Sequence, residues 1–169
     1  MDSKQKAFLD LIAWSEGTGL SELTKNAGYD VIVSGVNGPS VFTDYSEHPF
    51  EFGGYVTVRN VPTVLLSTAA GRYQILARYW RAYKNQLTLA DFSPASQDAV
   101  ALEQIKERSA FPLIEAGNIQ GAIEACSNIW ASFPGNDYGQ GGRSMESLLA
   151  QYQTFLEGEG NEENGKNNN

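Results

Sequence analysis

The chain has 169 residues, of which 41% are hydrophobic and 11% aromatic, and its formal net charge is −8. Such a composition supports one folded domain with a sizeable core and excludes bulk disorder. The acidic balance, with a sequence pI of about 4.6, excludes non-specific nucleic-acid binding through a basic surface. No run of about 18 apolar residues occurs, so we expect no membrane span and no stable membrane association.

The few cysteine and histidine residues narrow the chemistry. Cys126 follows apolar residues at helical spacing, which predicts a buried thiol and not a nucleophile. His48 is the one histidine and precedes a proline in a loop, a poor place for a catalytic triad. Metal-ligand clusters and phosphate-binding glycine motifs are absent from the sequence, so we expect neither a metal nor a cofactor. Residues 1–14 do not resemble a signal peptide, because Asp10 interrupts a short apolar run, and we expect synthesis in the cytoplasm.

Residues 5–16 predict a helix whose apolar stripe ends in an acid. The apolar positions at helical spacing are Phe8, Leu9, Ile12 and Ala13. Glu16 continues this stripe, and Gly17 is typical of the residue that follows a helix, so the carboxyl group lies in the last turn. Partial burial and the negative end of the helix dipole both disfavour the charged form, so we expect a raised pKa for Glu16. Glycosidic cleavage requires an acid that keeps its proton at neutral pH, although a partly exposed helix-terminal glutamate is the simpler interpretation.

Residues 28–62 predict a small β-rich region with loops. The strand-like runs, separated by glycines and prolines, are Tyr29–Val33, Val41–Tyr45 and Tyr55–Arg59. Asp30 and Asp44 each stand beside a tyrosine near a predicted strand end, where ligand binding and turn formation both remain open.

The second half predicts helices over 71–87, 94–109, 118–130 and 144–156, followed by a polar, acidic, disordered tail over 157–169. Two segments of this second half carry groups that could bind a ligand. The block 71–74 (GRYQ) opens a predicted helix, where free N–H groups could meet a ligand or simply start the helix. The Gly-rich loop 130–142 contains a tyrosine and a glutamine, and is either a linker or a substrate grip. Carboxylates, amides and aromatic rings are thus the available groups, and these bind and cleave carbohydrate.

Several sequence blocks together resemble the lambda-type phage endolysins, over roughly residues 5–156. The blocks are AWSEGT (13–18), GYDVIV (28–33), FTDYSxHP (42–49), GRYQ (71–74), DFSPxSQDAVAL (91–102), QIKER (104–108), CSNIWAS (126–132) and YGQ (138–140). Members of that family are lytic transglycosylases, which cleave the β-1,4 bond between N-acetylmuramic acid and N-acetylglucosamine without water and leave a 1,6-anhydro end. The resemblance implies an α+β, lysozyme-like fold, with a mainly helical lobe, a small antiparallel β lobe and a cleft between them. It also implies a single catalytic domain over residues 1–156, with its β-rich part at about 28–66.

The resemblance assigns the site residue by residue. It places the catalytic glutamate at Glu16. The substrate-binding residues that it implies are Ser15, Tyr29, Asp30, Gly71, Tyr73, Gln74, Ser132, Tyr138 and Gln140. Two lips over the cleft would correspond to residues 50–66 and 133–144, and both depart from the family's pattern: the first is longer and more apolar, and 140–144 (QGGRS) is unlike it.

The expected function is that of a phage endolysin which degrades peptidoglycan strands for host cell lysis, as a monomer. Glu16 would serve as acid and then base, with the 6-hydroxyl of the substrate as nucleophile. Release from the host cytoplasm to the wall in the periplasm would depend on a separate holin. Two alternatives stay open: a hydrolytic muramidase that uses Glu16 with Asp30 or Asp44, and a non-catalytic glycan-binding phage component.

Overall fold

A computed structural model describes residues 1–135 and 142–166, with side chains up to Glu159. The chain forms two compact units, one built from residues 1–16 and the chain from Glu103 onward, the other from residues 17–102. The helices are α1 Ser3–Ser15, α2 Ala77–Leu87, α3 Pro94–Glu107, α4 Phe111–Glu115, α5 Ile119–Cys126 and α6 Met145–Lys166. Within the ranges described, none of these helices is long and apolar enough to cross a membrane.

The first unit is helical and packs around α1. Asp2 caps this helix, its carboxylate accepting a hydrogen bond from the Gln5 N–H at 2.8 Å. The buried face of α1 contacts α4 and α6. Phe133 meets Phe8 edge-on with ring centroids 6.2 Å apart. Cys126 is fully buried, and this burial raises the pKa of its thiol to about 12, so the prediction of a buried thiol is confirmed.

The second unit carries the β structure. Its strands are β1 Val31–Gly35, β2 Gly38–Val41, β3 Val56–Arg59, β4 Leu65–Ser67, β5 Ala69–Ala70 and β6 Ile75–Leu76. One antiparallel sheet has the order β2-β1-β5-β6, and β3 pairs with β4 in a separate hairpin. Phe92 lies in the core of this unit. The centroid of its ring is 4.9 Å from that of Trp80 and 4.7 Å from that of His48. The Nε2 of His48 bonds the Ile75 carbonyl at 2.9 Å, and burial lowers the pKa of this histidine, so it is a neutral core residue.

Several predicted boundaries are wrong. Residues 71–74 do not open a helix: they form the turn between β5 and β6, and α2 begins only at Ala77. Gly71 and Gln74 both have positive φ, 80° and 50°, which a helix does not allow. The strand predicted over 41–45 ends at Val41. Beyond it, the backbone hydrogen bond from Phe42 N–H to Asp30 O, at 2.9 Å, continues the pairing with the segment before β1 for one residue.

The later helices differ in length from the prediction. The helix predicted to reach Trp130 stops at Cys126, and Ser127 is its C-cap, with its hydroxyl bonded to the Glu124 carbonyl at 2.9 Å. The last helix begins after Ser144 as expected but continues to Lys166, where the sequence predicts a disordered tail from residue 157. An ion pair between Lys6 and Glu159 ties this extension to α1.

Candidate active site

The acid at the end of α1 lies where the sequence predicts it. The helix ends at Ser15, and Glu16 is its C-cap, with its backbone N–H bonded to Ile12 O at 2.9 Å. Gly17 follows with φ of 77°, the left-handed conformation that glycine adopts without strain at this position. The carboxyl group therefore leaves the helix on the face that α1 buries.

The carboxyl group of Glu16 has one side-chain partner among the residues described. Ser132 donates its hydroxyl to Oε1 at 2.6 Å. Burial raises the pKa of Glu16, while the side-chain and backbone hydrogen bonds from Ser132 act in the opposite direction, and burial prevails. The prediction of a raised pKa is thus confirmed, with loss of solvation as the main physical cause.

A cavity of about 520 Å³ opens beside this carboxyl group. Its lining residues are Ser15, Glu16, Ala131, Ser132, Gly142, Arg143 and Ser147. All belong to the unit that contains α1 and α6. Among the lining residues that the structure describes, Glu16 carries the only carboxyl group and Arg143 the only positive charge. The cavity therefore combines one carboxyl group with a raised pKa, one cation and several hydroxyl groups.

Arg143 is a site residue that the sequence analysis did not select. Its guanidinium lies 3.6 Å from the centroid of the Trp14 ring and donates to the Trp14 carbonyl at 3.1 Å. The preceding Gly142 allows a close approach, since a Cβ there would stand 2.8 Å from the Ser132 carbonyl. The Arg143 N–H bonds that same carbonyl at 3.2 Å, so the segment 142–143 is fastened to the residue that contacts the acid. The one feature of the sequence that could have pointed to Arg143 is that residues 140–144 depart from the family's pattern.

The block 71–74 is held in the second unit by a buried glutamine. Gln97 accepts a hydrogen bond from the Arg72 N–H at 2.9 Å and donates to the carbonyls of Tyr29 and Phe92 at 3.1 and 2.9 Å. Gly71 fits against this amide because it has no Cβ. Gln74 closes the turn by donating its amide to Gly71 O at 3.1 Å. The structure therefore gives this block a defined backbone shape, and its contact with substrate stays a prediction.

Two tyrosines that the sequence selects, Tyr29 and Tyr73, converge on a third residue. Both hydroxyls donate to Oδ1 of Asp98 at 2.7 Å, and their rings meet edge-on at 6.2 Å. Burial and the negative charge of Asp98 raise the pKa of both phenols, to about 12 for Tyr29. Asp98 and Gln97, both missed, are neighbours in the predicted helix at 94–109, where nothing marked them as bonded to the β region.

The two aspartates beside tyrosines form local turns. Asp30 is buried and accepts hydrogen bonds from the Thr24 hydroxyl and from the Lys25 N–H at 2.8 Å. Asp44 is exposed and accepts from the Ser46 N–H at 2.8 Å, and hydrogen bonding to Ser46 lowers its pKa.

Tyr138 and Gln140 lie outside the residues that the structure describes. Across the described part of the chain, no group of three His, Cys, Asp or Glu side chains could hold a metal ion.

A helical unit with an acid at the end of its first helix, together with a small antiparallel β unit, defines a lysozyme-like α+β protein. Solved structures agree. Bacteriophage lambda lysozyme complexed with a chitohexasaccharide matches with a TM-score of 0.83 and 53% identity, over 92% of this chain and 95% of that one. A second structure of lysozyme from bacteriophage lambda matches with a TM-score of 0.79 and 51% identity, over the same shares of the two chains. The predicted fold class is confirmed.

The sequence model of the family described as endolysin matches residues 6–158, and the chain belongs to this family. It is 54% identical over 154 residues to the endolysin of Escherichia phage lambda. The aligned residues cover 90% of this chain and 91% of that protein. It is also 53% identical over 149 residues to the endolysin of Escherichia phage P2, with 88% and 90% covered. The family predicted from the sequence blocks is confirmed.

Proposed function

We propose that the protein is a phage endolysin that degrades bacterial peptidoglycan, with Glu16 as its catalytic acid. The observation that carries this proposal is the carboxyl group of Glu16, which faces a cavity and has a raised pKa because it is buried. A raised pKa favours the protonated form, which can give its proton to a glycosidic oxygen. A lambda lysozyme that matches this chain was solved with a chitohexasaccharide, which supports a glycan as ligand.

The reaction that we propose is a lytic transglycosylation. Neutral Glu16 protonates the oxygen that links N-acetylmuramic acid to N-acetylglucosamine, and the C1–O bond breaks as positive charge develops on the muramyl ring. The carboxylate so formed takes the proton from the 6-hydroxyl of the same sugar, whose oxygen bonds to C1. Glu16 ends protonated again, no water is consumed, and the product carries a 1,6-anhydro bridge.

One carboxyl group suffices for this route, because the nucleophile belongs to the substrate. Well-oriented intramolecular reactions reach effective molarities of about 10⁵ M or more. Hydrolytic glycosidases instead use two carboxyl groups, about 5–5.5 Å apart for retention or about 6.5–9.5 Å for inversion. The described lining of the cavity offers Glu16 alone, and Asp30 uses its carboxylate to bind its own loop.

Mass analysis of the muropeptides released from purified cell wall tests the reaction. Transglycosylation gives anhydro-muropeptides, which lack one water relative to the products of hydrolysis. Only reducing muramic acid ends would overturn this proposal in favour of a hydrolytic muramidase that uses Glu16 with Asp30 or Asp44. Glu16→Gln should abolish release while the fold is kept, and Glu146→Gln is the matched control, since Glu146 is exposed in the first turn of α6. A wild-type protein that binds glycan but releases nothing would point to a non-catalytic component.

Delivery and binding complete the proposal. By likeness to the family, the monomeric enzyme stays in the host cytoplasm until a separate holin opens the membrane, and then acts on the wall in the periplasm. Cells that express it should remain intact until the membrane is permeabilised. Tyr29, Tyr73, the turn at 71–74, Tyr138 and Gln140 stay as proposed substrate contacts, within a catalytic domain over residues 1–156.

A further inference from the structure

Glu16 stands at the end of a row of hydroxyl groups. Its Oε1 lies 2.6 Å from Ser132 Oγ, which lies 2.8 Å from Ser15 Oγ, which lies 3.0 Å from the carbonyl oxygen of Ile12. We call these three contacts the hydroxyl row. Each is short enough for a hydrogen bond, and each needs one proton between its two oxygens. The carbonyl at the far end can only accept, which fixes the direction of the last bond.

The number of protons in the row depends on the state of the acid. When Glu16 is ionised, the row has the two serine protons for three contacts, so one pair of oxygens must face each other without a proton between them. When Glu16 is neutral, its proton fills the first contact, Ser132 donates to Ser15, and Ser15 donates to Ile12. All three contacts are then complete hydrogen bonds.

We propose that Ser15 is a positioning residue that acts through Ser132 to favour a proton on Glu16 before the substrate binds. The inference rests on the proposed function for its purpose, since a glycosidic acid must be protonated at the start of the reaction. Ser132 serves both halves of that reaction because its hydroxyl can rotate. It accepts from the neutral acid, and it donates to the carboxylate that remains after the proton has moved to the leaving group.

The charged groups near the hydroxyl row are not part of it and do not change when its serines are substituted. In the described lining of the cavity, Arg143 is the one ionisable group besides Glu16, and its guanidinium is fastened to the ring and carbonyl of Trp14. On α6, Ser147 lines the cavity and its neighbour Glu146 is exposed. Serine substitutions in the row leave these groups in place, so a change in the titration of Glu16 reports on the row itself.

The two serines should move the titration of Glu16 in opposite directions. Ser15→Ala removes the acceptor that Ser132 needs when the acid is neutral, so the pKa of Glu16 should fall by about 0.5–1 unit. Ser132→Ala removes a donor to the carboxylate, and bonds to a charged group are the stronger kind, so the pKa should rise. Ser15→Thr keeps a hydroxyl and should stay near wild type. Ser147→Ala is the control, because Ser147 lines the same cavity but bonds to the Ser144 carbonyl at 2.8 Å, outside the row.

The measurement is a ¹³C NMR titration of the Glu16 carboxyl carbon in the folded full chain, with the basic limb of kcat/KM against pH as a second readout. A Ser15→Ala variant whose pKa stays put or rises would overturn the inference, as would equal shifts in both alanine variants. Thermal melts identify a variant that fails to fold, and Ser15→Gly, which also lacks the hydroxyl, then carries the test. The NMR titration needs no turnover, so it can succeed or fail independently of the muropeptide masses that test the proposed function.

Discussion

Replacing Gly71 by alanine tests the hydrogen-bonded support of the turn at 71–74. Gly71 has φ of 80°, and a Cβ there would stand 2.7 Å from Cδ of Gln97 and closer still to its Oε1. The neighbour that must move is fully buried and holds three hydrogen bonds, to Arg72, Tyr29 and Phe92. The substitution therefore strains the backbone and displaces the amide at the same time.

The expected loss of stability follows from these two effects. A left-handed conformation costs a residue with a Cβ about 1–2 kcal/mol. Loss of two of the three Gln97 bonds adds about 1–3 kcal/mol, at about 0.5–1.5 kcal/mol each. Gly71→Ala should therefore lower the free energy of unfolding by about 2–5 kcal/mol. Gly38→Ala is the control, because Gly38 has φ of 89° but nothing within 4 Å of an added Cβ, and it should lose only the backbone part.

Urea unfolding followed by tryptophan fluorescence and circular dichroism measures both losses, provided that the two signals coincide and the slope with urea is unchanged. In a Gln97→Ala background the clash is gone, so Gly71→Ala should then cost no more than Gly38→Ala does. Equal losses of stability for the two glycine variants in the wild-type background would refute the role of Gln97, and so would a Gln97→Ala background that does not relieve the cost at Gly71.

Two further outcomes follow from the cavity. The pKa of Glu16 is raised in the folded state, so its contribution to stability is full below the ordinary value of 4.5 and is lost as pH rises through the folded value. The stability of Glu16→Gln relative to wild type should accordingly increase with pH across that window in chemical unfolding, and a constant difference would contradict the raised pKa. Arg143 places a positive charge in the cavity, so Arg143→Gln should weaken binding of muramyl glycan, which bears carboxylates, about tenfold or more, by loss of charge-assisted hydrogen bonds. Calorimetry should show little change with neutral chitohexasaccharide, and equal losses on both ligands would assign Arg143 a purely structural role.

The sequence predicts the position of Glu16 well, because local chemistry decides it. Apolar spacing places the acid on the buried face of α1, and a glycine directly after it ends the helix. The buried thiol of Cys126 and the start of α6 after Ser144 follow from the same short-range rules. Each of these features depends on residues within one or two helical turns.

Predictions that depended on distant partners were incomplete. The block 71–74 looks like a helix start, yet its turn is shaped by Gln97, and nothing near position 71 signals that glutamine. Likewise, no local pattern pairs Tyr29 and Tyr73 with Asp98, or brings Ser132 to the acid. Side-chain hydrogen bonds between remote segments leave no periodic trace in a sequence.

The hydrogen bond between Glu16 and Ser132 joins residues 116 positions apart. The unit that contains both is assembled from the two ends of the chain, and residues 17–102 form a separate compact unit between them. During synthesis the acid leaves the ribosome early, but its partner follows only after most of the chain has been made, and such long-range closure is slow. Nascent and truncated chains that stop short of Ser132 thus carry Glu16 without the residues that bury it and raise its pKa, and we expect such chains to be inactive.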